Sequence, residues 1–240
     1  MKRILPWTFL LAWTAAMPAE EPRAPVLVEL FTSEGCSSCP PADALLEKLD
    51  RLQPIPEARV IVLSEHVDYW DHLGWKDPYS SAVSTARQEG YARRFSGSGP
   101  YTPEMVVDGA AEFVGSDAGA AASAIRSAAK QPKVAVRLIP AAGGARLEVD
   151  PLPGGKRTKS AVYVAVALDS GTSSVLAGEN GGRTLHHVAI VRQLREVGTI
   201  SARAGFTGEI AAAPGSRVVA FVQETGNGRI QGAALLPVPK

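Results

Sequence analysis

Cysteine is nearly missing from this chain, with 2 in 240 residues against 23 glycines and 18 prolines. That scarcity excludes a scaffold held by several disulfides. An excess of either charge is missing as well: 25 basic and 24 acidic side chains leave a formal net charge of +1, so no electrostatic footprint for nucleic acid exists. No apolar run reaches the roughly 20 residues that span a hydrocarbon core, and there is no internal repeat, heptad pattern or low-complexity tract. What remains, 45% hydrophobic and 20% charged, is the composition of an ordinary globular protein.

The first residues form a segment to be set aside. Met1-Lys2-Arg3 supplies positive charge, Ile4 to Ala16 is almost wholly apolar, and the small residues Ala15, Ala16 and Ala19 follow; together these are the three parts of a secretory signal, here residues 1–19. An uncleaved anchor is the alternative, but the run is too short to span a membrane. No cysteine lies near the cleavage point, which argues against a lipid anchor. The mature chain is therefore expected to be exported, periplasmic or secreted, free of the membrane, in a compartment where disulfides persist.

The two cysteines, Cys36 and Cys39, form a C-x-x-C directly after the apolar run Val26 to Phe31. A thiol pair at this spacing between a strand and a helix reads as a redox or a metal site. As a purely structural bridge it is a poor device, because a loop of four residues gains little from closure. The thiolate is the attacking species, and a helix N-terminus stabilises it. The first cysteine of such a pair is expected to face solvent and attack, with Cys39 packed beneath it as the resolving thiol. Two features oppose a lowered pKa. Pro40 and Pro41 push the start of the regular helix toward Cys39, and Glu34 adds a negative charge nearby.

Strand-like and helix-like segments alternate through the first half. After Val26 to Phe31, Leu45, Leu46, Leu49 and Leu52 recur at helical spacing, and Arg59 to Leu63 is a second buried strand. Asp77-Pro78 then offers an N-cap and first-turn proline for a helix to about Phe95, with Tyr79, Ala82, Val83, Ala86 and Tyr91 along one side. Thr102 to Val107, Asp108-Gly109 and Glu112 to Val114 read as a hairpin, and Ser116 caps a last helix to about Lys130. The order βαβαββα is an α/β layer with the cysteines at a strand's C-terminal end, over residues 24–131. From Pro132 the texture changes to valine-rich strands: Lys133 to Ile139, Ala145 to Val149, Ser160 to Leu168, Thr184 to Leu194 and Arg217 to Gln223. Glycine turns separate them, so an all-β antiparallel sandwich is expected over 132–240.

Val28 to Asp43, His66 to Asp71, Leu73 to Pro78, Arg87-Gln88 and Tyr101-Thr102-Pro103, with Glu179 to Leu185, His187 and Arg192 in the second half, together resemble the exported thioredoxin-like family catalogued as domain of unknown function 1223. Glu65 and Ala189 depart from its pattern. The resemblance implies a thioredoxin-like domain in which Pro103 stands where such folds carry a cis-proline facing the dithiol. It supplies no reaction.

The expected site is therefore Cys36, Cys39 and Pro103, walled by His66, Asp68, Tyr69, Trp70, Asp71, Trp75 and Thr102. In that wall Trp70 and Trp75 offer apolar area, and Asp68 or Asp71 tunes a thiol or shuttles a proton. The plainer reading is a loop packed by its own aromatics. Arg87 and Gln88 are expected to bridge that loop, and His186 and His187 to face opposite sides of a strand. Gly97-Ser98-Gly99 lacks the context of a phosphate loop. The function expected is thiol–disulfide exchange with protein thiols or disulfides, with no cofactor beyond a Cys36–Cys39 disulfide. Two alternatives stay open: a copper(I) or zinc module built from Cys36, Cys39 and His66, and an adaptor on an inactive scaffold.

Overall fold

The first strand, β1 (Ala24–Thr32), is buried from Val26 to its end. Such a run needs neighbours on both edges and cover on both faces. Its parallel partner is β2 (Ala58–His66), paired residue by residue from Ala24↔Ala58 to Thr32↔His66. The register makes both strands open onto the same sheet edge at Thr32 and His66. Helix α1 (Pro40–Leu52) makes the crossover between them and buries Ala42, Leu46 and Leu49, each leucine contributing about 2 kcal/mol. On the other side of β1 lies β3 (Glu104–Val107), antiparallel, followed by the returning strand β4 (Ala111–Val114) and helix α3 (Ala118–Ala129). With α2 (Ala82–Phe95) between β2 and β3, the order is βαβαββα. This computed structural model describes residues 23–95, 99–154 and 158–236; residues 1–19, expected as a signal segment, and Gly97-Ser98 lie outside the described residues.

Two helix starts differ from the sequence reading. Asp77-Pro78 does not open α2, because the Asp77 carboxylate is spent on the backbone N–H of Glu34 and Tyr79. The helix begins after Ser81, whose side chain accepts from Val83 N–H. Its buried face is Ser84, Arg87, Gln88 and Tyr91, whereas Val83 is 51% exposed. That face keeps helical spacing but is polar, since it meets the buried carboxylates Glu29, Glu65 and Glu104. Asp117 rather than Ser116 caps α3, accepting from Ala120 N–H at 2.9 Å.

The second half contributes strands β5 (Val136–Ala141), β6 (Gly144–Val149), β7 (Ser160–Ser174), β8 (Thr184–Ile200), β9 (Phe206–Ala211), β10 (Ser216–Glu224) and β11 (Ile230–Leu236). The expected sandwich is not a body apart. Four of these strands continue the first-half sheet, giving the order β11-β10-β7-β8-β2-β1-β3-β4, joined by a parallel bridge between Ser64 and Ile190. Only β5-β6-β9 forms a second sheet, packed on β7 and β10 through Leu147, Val162, Val164 and Val218. The large sheet also curls. Leu27, Ile61 and Leu63 of the central strands share a core with Val219, Phe221, Ile230 and Ala233 of the far ones, as a twisted sheet of this size allows. The protein is thus mixed α/β, with one sheet crossing residues 131–132.

Candidate active site

Beyond β1 the chain turns at Ser33, whose side-chain and main-chain oxygens accept from Gly35 and Cys36 N–H, each at 3.1 Å. Cys36 and Cys39 are joined as a disulfide. Cys39 is the N-cap residue of α1 and Pro40 and Pro41 fill the first two helical positions; its carbonyl accepts from Ala42 and Asp43 N–H. Cys36 therefore stands before the helix end, as the two prolines require. One expectation fails here. Cys36 does not face solvent: both cysteines are 0% exposed, and only Ser37 and Ser38 between them are on the surface.

Pro103, in a cis peptide bond with Thr102, shares Gly115 as a neighbour with Ala42 of the first turn of α1. Its carbonyl accepts from Gly115 N–H at 2.9 Å, and a Cβ on Gly115 would lie 3.1 Å from both Ala42 Cβ and Pro103 Cβ. Trp70 spans the same ground from the other side. It packs on Gly35, where an added Cβ would come within 3.1 Å, and its indole N–H donates to Thr102 Oγ1 at 2.9 Å. Trp75 donates to Glu34 Oε2 at 2.8 Å. The remaining wall residues build the loop itself. Asp68 accepts from Thr85, Asp71 from Ser80 and from Asp77 N–H, and Tyr69 donates to Gln88. Gln88 bridges the aromatic loop as expected. Arg87 does not.

Beside the disulfide lies a buried ionic cluster drawn from four elements. His66 Nδ1 meets Asp77 Oδ2 at 2.7 Å, and the same carboxylate oxygen takes Glu34 N–H. His187, on β8, stands with its ring 4.6 Å from that of His66 and 5.9 Å from that of Tyr79. Its Nε2 lies 3.4 Å from Glu34 Oε1 and its Nδ1 3.6 Å from Asp43 Oδ1. Burial opposes a charge on this ring, but Asp43 and Glu34 outweigh it and push the pKa up to about 9. His187 is thus an imidazolium at neutral pH, one helical turn from Cys39 by way of Asp43. Its neighbour His186 is exposed, on the opposite face. Asp77 keeps a pKa below its ordinary value because the hydrogen bond and charge of His66 prevail over desolvation.

The expected metal set does not assemble, since the sulfurs are bonded to one another and His66 turns its Nδ1 to Asp77. Among the described residues, no group of three or more His, Cys, Asp or Glu is arranged to hold a metal ion.

The second half reaches this site through the β7–β8 loop. Asn180, buried, donates through Nδ2 to both Glu34 O and Cys36 O at 2.9 Å, while Arg183 Nη1 holds its Oδ1 at 2.8 Å. Glu179 Oε2 accepts from Ser37 N–H at 3.0 Å, and hydrogen bonds from Ser37 hold its carboxyl below the usual range. Asp43, Asp77 and Asn180 fell within the segments of the family pattern but carried no site role in the sequence, because each acts through a partner distant along the chain.

Glu65, the first departure from that pattern, belongs to a second ionic group on the α2 face. Arg87 pairs with Glu29 and lies 3.5 Å from Glu65, with Tyr91 and Gln223 completing its donors' partners. Burial and the neighbouring Glu29 charge drive the Glu65 pKa well up.

The family model described as protein of unknown function, DUF1223, matches residues 27–223. A crystal structure of an Agrobacterium tumefaciens protein is similar over 92% of this chain and 97% of its own, at 27% identity and a TM-score of 0.75. HBP35 of Porphyromonas gingivalis, at 16% identity and a TM-score of 0.60, shares the fold over 92% of this chain and 77% of its own. No curated protein matches.

Proposed function

The chain belongs to the DUF1223 family, and from that premise we propose that it is an exported thiol–disulfide oxidoreductase working through Cys36 and Cys39. The observation that carries this reading is a cystine closing the turn between β1 and α1. The order βαβαββα and the dithiol between the first strand and helix support a thioredoxin-like reading of the first half. A bridge over four residues adds little to stability, so its chemistry is the better reason for it.

In the oxidising direction a partner thiolate attacks Cys36 Sγ, the Cys36–Cys39 bond breaks, and Cys39 leaves as a thiolate that takes up a proton. A second partner thiolate then attacks the mixed disulfide, and Cys36 leaves as a thiolate that is protonated in turn. The partner departs with a new disulfide and the protein holds two thiols. Two electrons have moved, and the reverse sequence reduces a partner. Pro103 and Thr102, with Trp70 fixing them, shape the groove for the partner's backbone. Partners are protein thiols or disulfides. Neither nucleic acid nor, after removal of residues 1–19, a membrane is required.

Cys39→Ala tests this reading. With the resolving thiol gone, a mixed disulfide between Cys36 and a model thiol protein should accumulate under mild oxidation, seen by mass spectrometry. No adduct, with Cys36 open to alkylation, would refute it.

A further inference from the structure

A disulfide meant for exchange is fully buried here, and one turn of the second half is bonded to the backbone around it. The longest hairpin of the second half, β7–β8, ends in the segment Val175 to Arg183, closed on itself by Val175 N–H to Arg183 O and Gly182 N–H to Val175 O. Its inner residue, Asn180, is the only part of that turn besides Val175 that is buried. Both of its amide protons are used on the active-site turn, one on each side of Gly35, and its oxygen is held by Arg183. Glu179 engages the Ser37 N–H between the cysteines.

We propose that the β7–β8 turn is a clasp over the disulfide and that Asn180 is its positioning residue: while its amide holds Glu34 O and Cys36 O, thiols do not reach Cys36, and release of that amide opens the site. The inference rests on the exchange reading for its purpose, and it gives the second half of the chain a role in that reaction.

The clasp is cheap to move. Glu179, Gly181, Gly182 and Arg183 are exposed, and Leu176 at its tip is 80% exposed, so opening sacrifices few buried contacts; segments with little burial open far below the global unfolding energy. Gly178 and Gly182 flank the latch with φ of +73° and +83°, a region where glycine alone moves freely. Beneath it, Gly178 rests on Trp75, a Cβ there falling 3.2 Å from Trp75 Cβ, and Trp75 is bonded to Glu34. Movement of the turn is therefore felt at the strand end that carries the cysteines.

The test is the rate at which dithiothreitol reduces Cys36–Cys39 in the full chain, followed by alkylation and mass. The reagent's two thiols close to a cyclic disulfide as the cysteines take up two electrons and two protons, so no partner protein is needed. Asn180→Ala should react at least tenfold faster than the parent, and Glu179→Gln and Arg183→Ala about threefold faster. Leu147→Ala, in the remote core between the two sheets, serves as a merely destabilised control and should leave the rate unchanged. Should Asn180→Ala not fold, the two exposed variants decide. Parental rates in every folded clasp variant would overturn the proposal, as would equal acceleration by Leu147→Ala. Since the probe is a small reductant, a failed clasp and a failed exchange function give different results: the first leaves the Cys39→Ala adduct intact.

Discussion

Single side chains carry the cost of this site, because charge has been taken out of water. Arg87, buried with Glu29 and Glu65 around it, is the sharpest case: Arg87→Met should lose about 3–5 kcal/mol, since a carboxylate is left buried without its counter-charge. Glu65→Gln should stay within about 1 kcal/mol, since burial and the Glu29 charge already disfavour the ionised carboxylate and the amide is its near isostere. Urea unfolding of the two variants separates them. His187 gives the pH dependence. Its pKa of about 9 exceeds the ordinary 6.5, so its ion pairs stabilise in full below pH 6.5. They are lost as pH rises toward 9, on the order of 3 kcal/mol in all. Glu104, raised to about 7 by burial, acts in the same direction, its contribution fading as pH climbs through 7. Urea midpoints should therefore fall from pH 6 to 9, and His187→Gln should flatten the upper part of that slope. In the sequence, Cys36 and Cys39 were marked by their spacing, Trp70 by its place after the second strand, and Pro103 through the family resemblance. The partners of His187 were out of reach, since Asp43 and Glu34 meet it only after β8 has come up beside β2.

Secondary-structure elements were legible where apolar period carried them. The strands β1 and β2, Leu46 and Leu49 of α1 and the Asp108-Gly109 turn fall where the pattern puts them, whereas Leu52 is exposed; both turn residues have positive φ, 48° and 58°. α2 was found but turned the wrong way, because its buried stripe of Ser84, Arg87, Gln88 and Tyr91 is selected for polar partners that hydrophobic spacing does not register. β9 and β11 escaped notice as short, glycine-interrupted strands. The other family departure acquires a physical meaning at this scale. Ala189 sits on β8 with φ of +51°, between the pairs Val188↔Ser170 and Ile190↔Leu168, so the register carries across a residue held in the left-handed region. An alanine in that region costs roughly 1 kcal/mol. Ala189→Gly should raise the urea midpoint by an amount equivalent to about 0.5–1 kcal/mol, and a fall would count against the left-handed backbone as the source of the cost.

Across the whole molecule, the sheet that runs from β11 to β4 ties the halves into one cooperative unit. Tyr91 and Arg87 hydrogen-bond Gln223 of β10, and Asn227 donates to Arg87 O; cutting between residues 131 and 132 would leave strands and carboxylates on both sides without partners. Thermal unfolding of the full chain should be a single transition with matching calorimetric and van't Hoff enthalpies, and two resolved transitions would contradict the continuous sheet. The change of texture at Pro132 was real in the sequence, but strand pairing between distant segments leaves no local mark, so the shared sheet and the clasp came only with the fold. The central claim is that the cystine is chemically reversible. Equilibrating the full chain with dithiol buffers of graded potential and counting free thiols measures it directly: a reversible two-electron transition between about −270 and −120 mV, the range of working dithiol proteins, is the expected result. A bond that stays closed below about −300 mV, as structural disulfides do, would contradict the account.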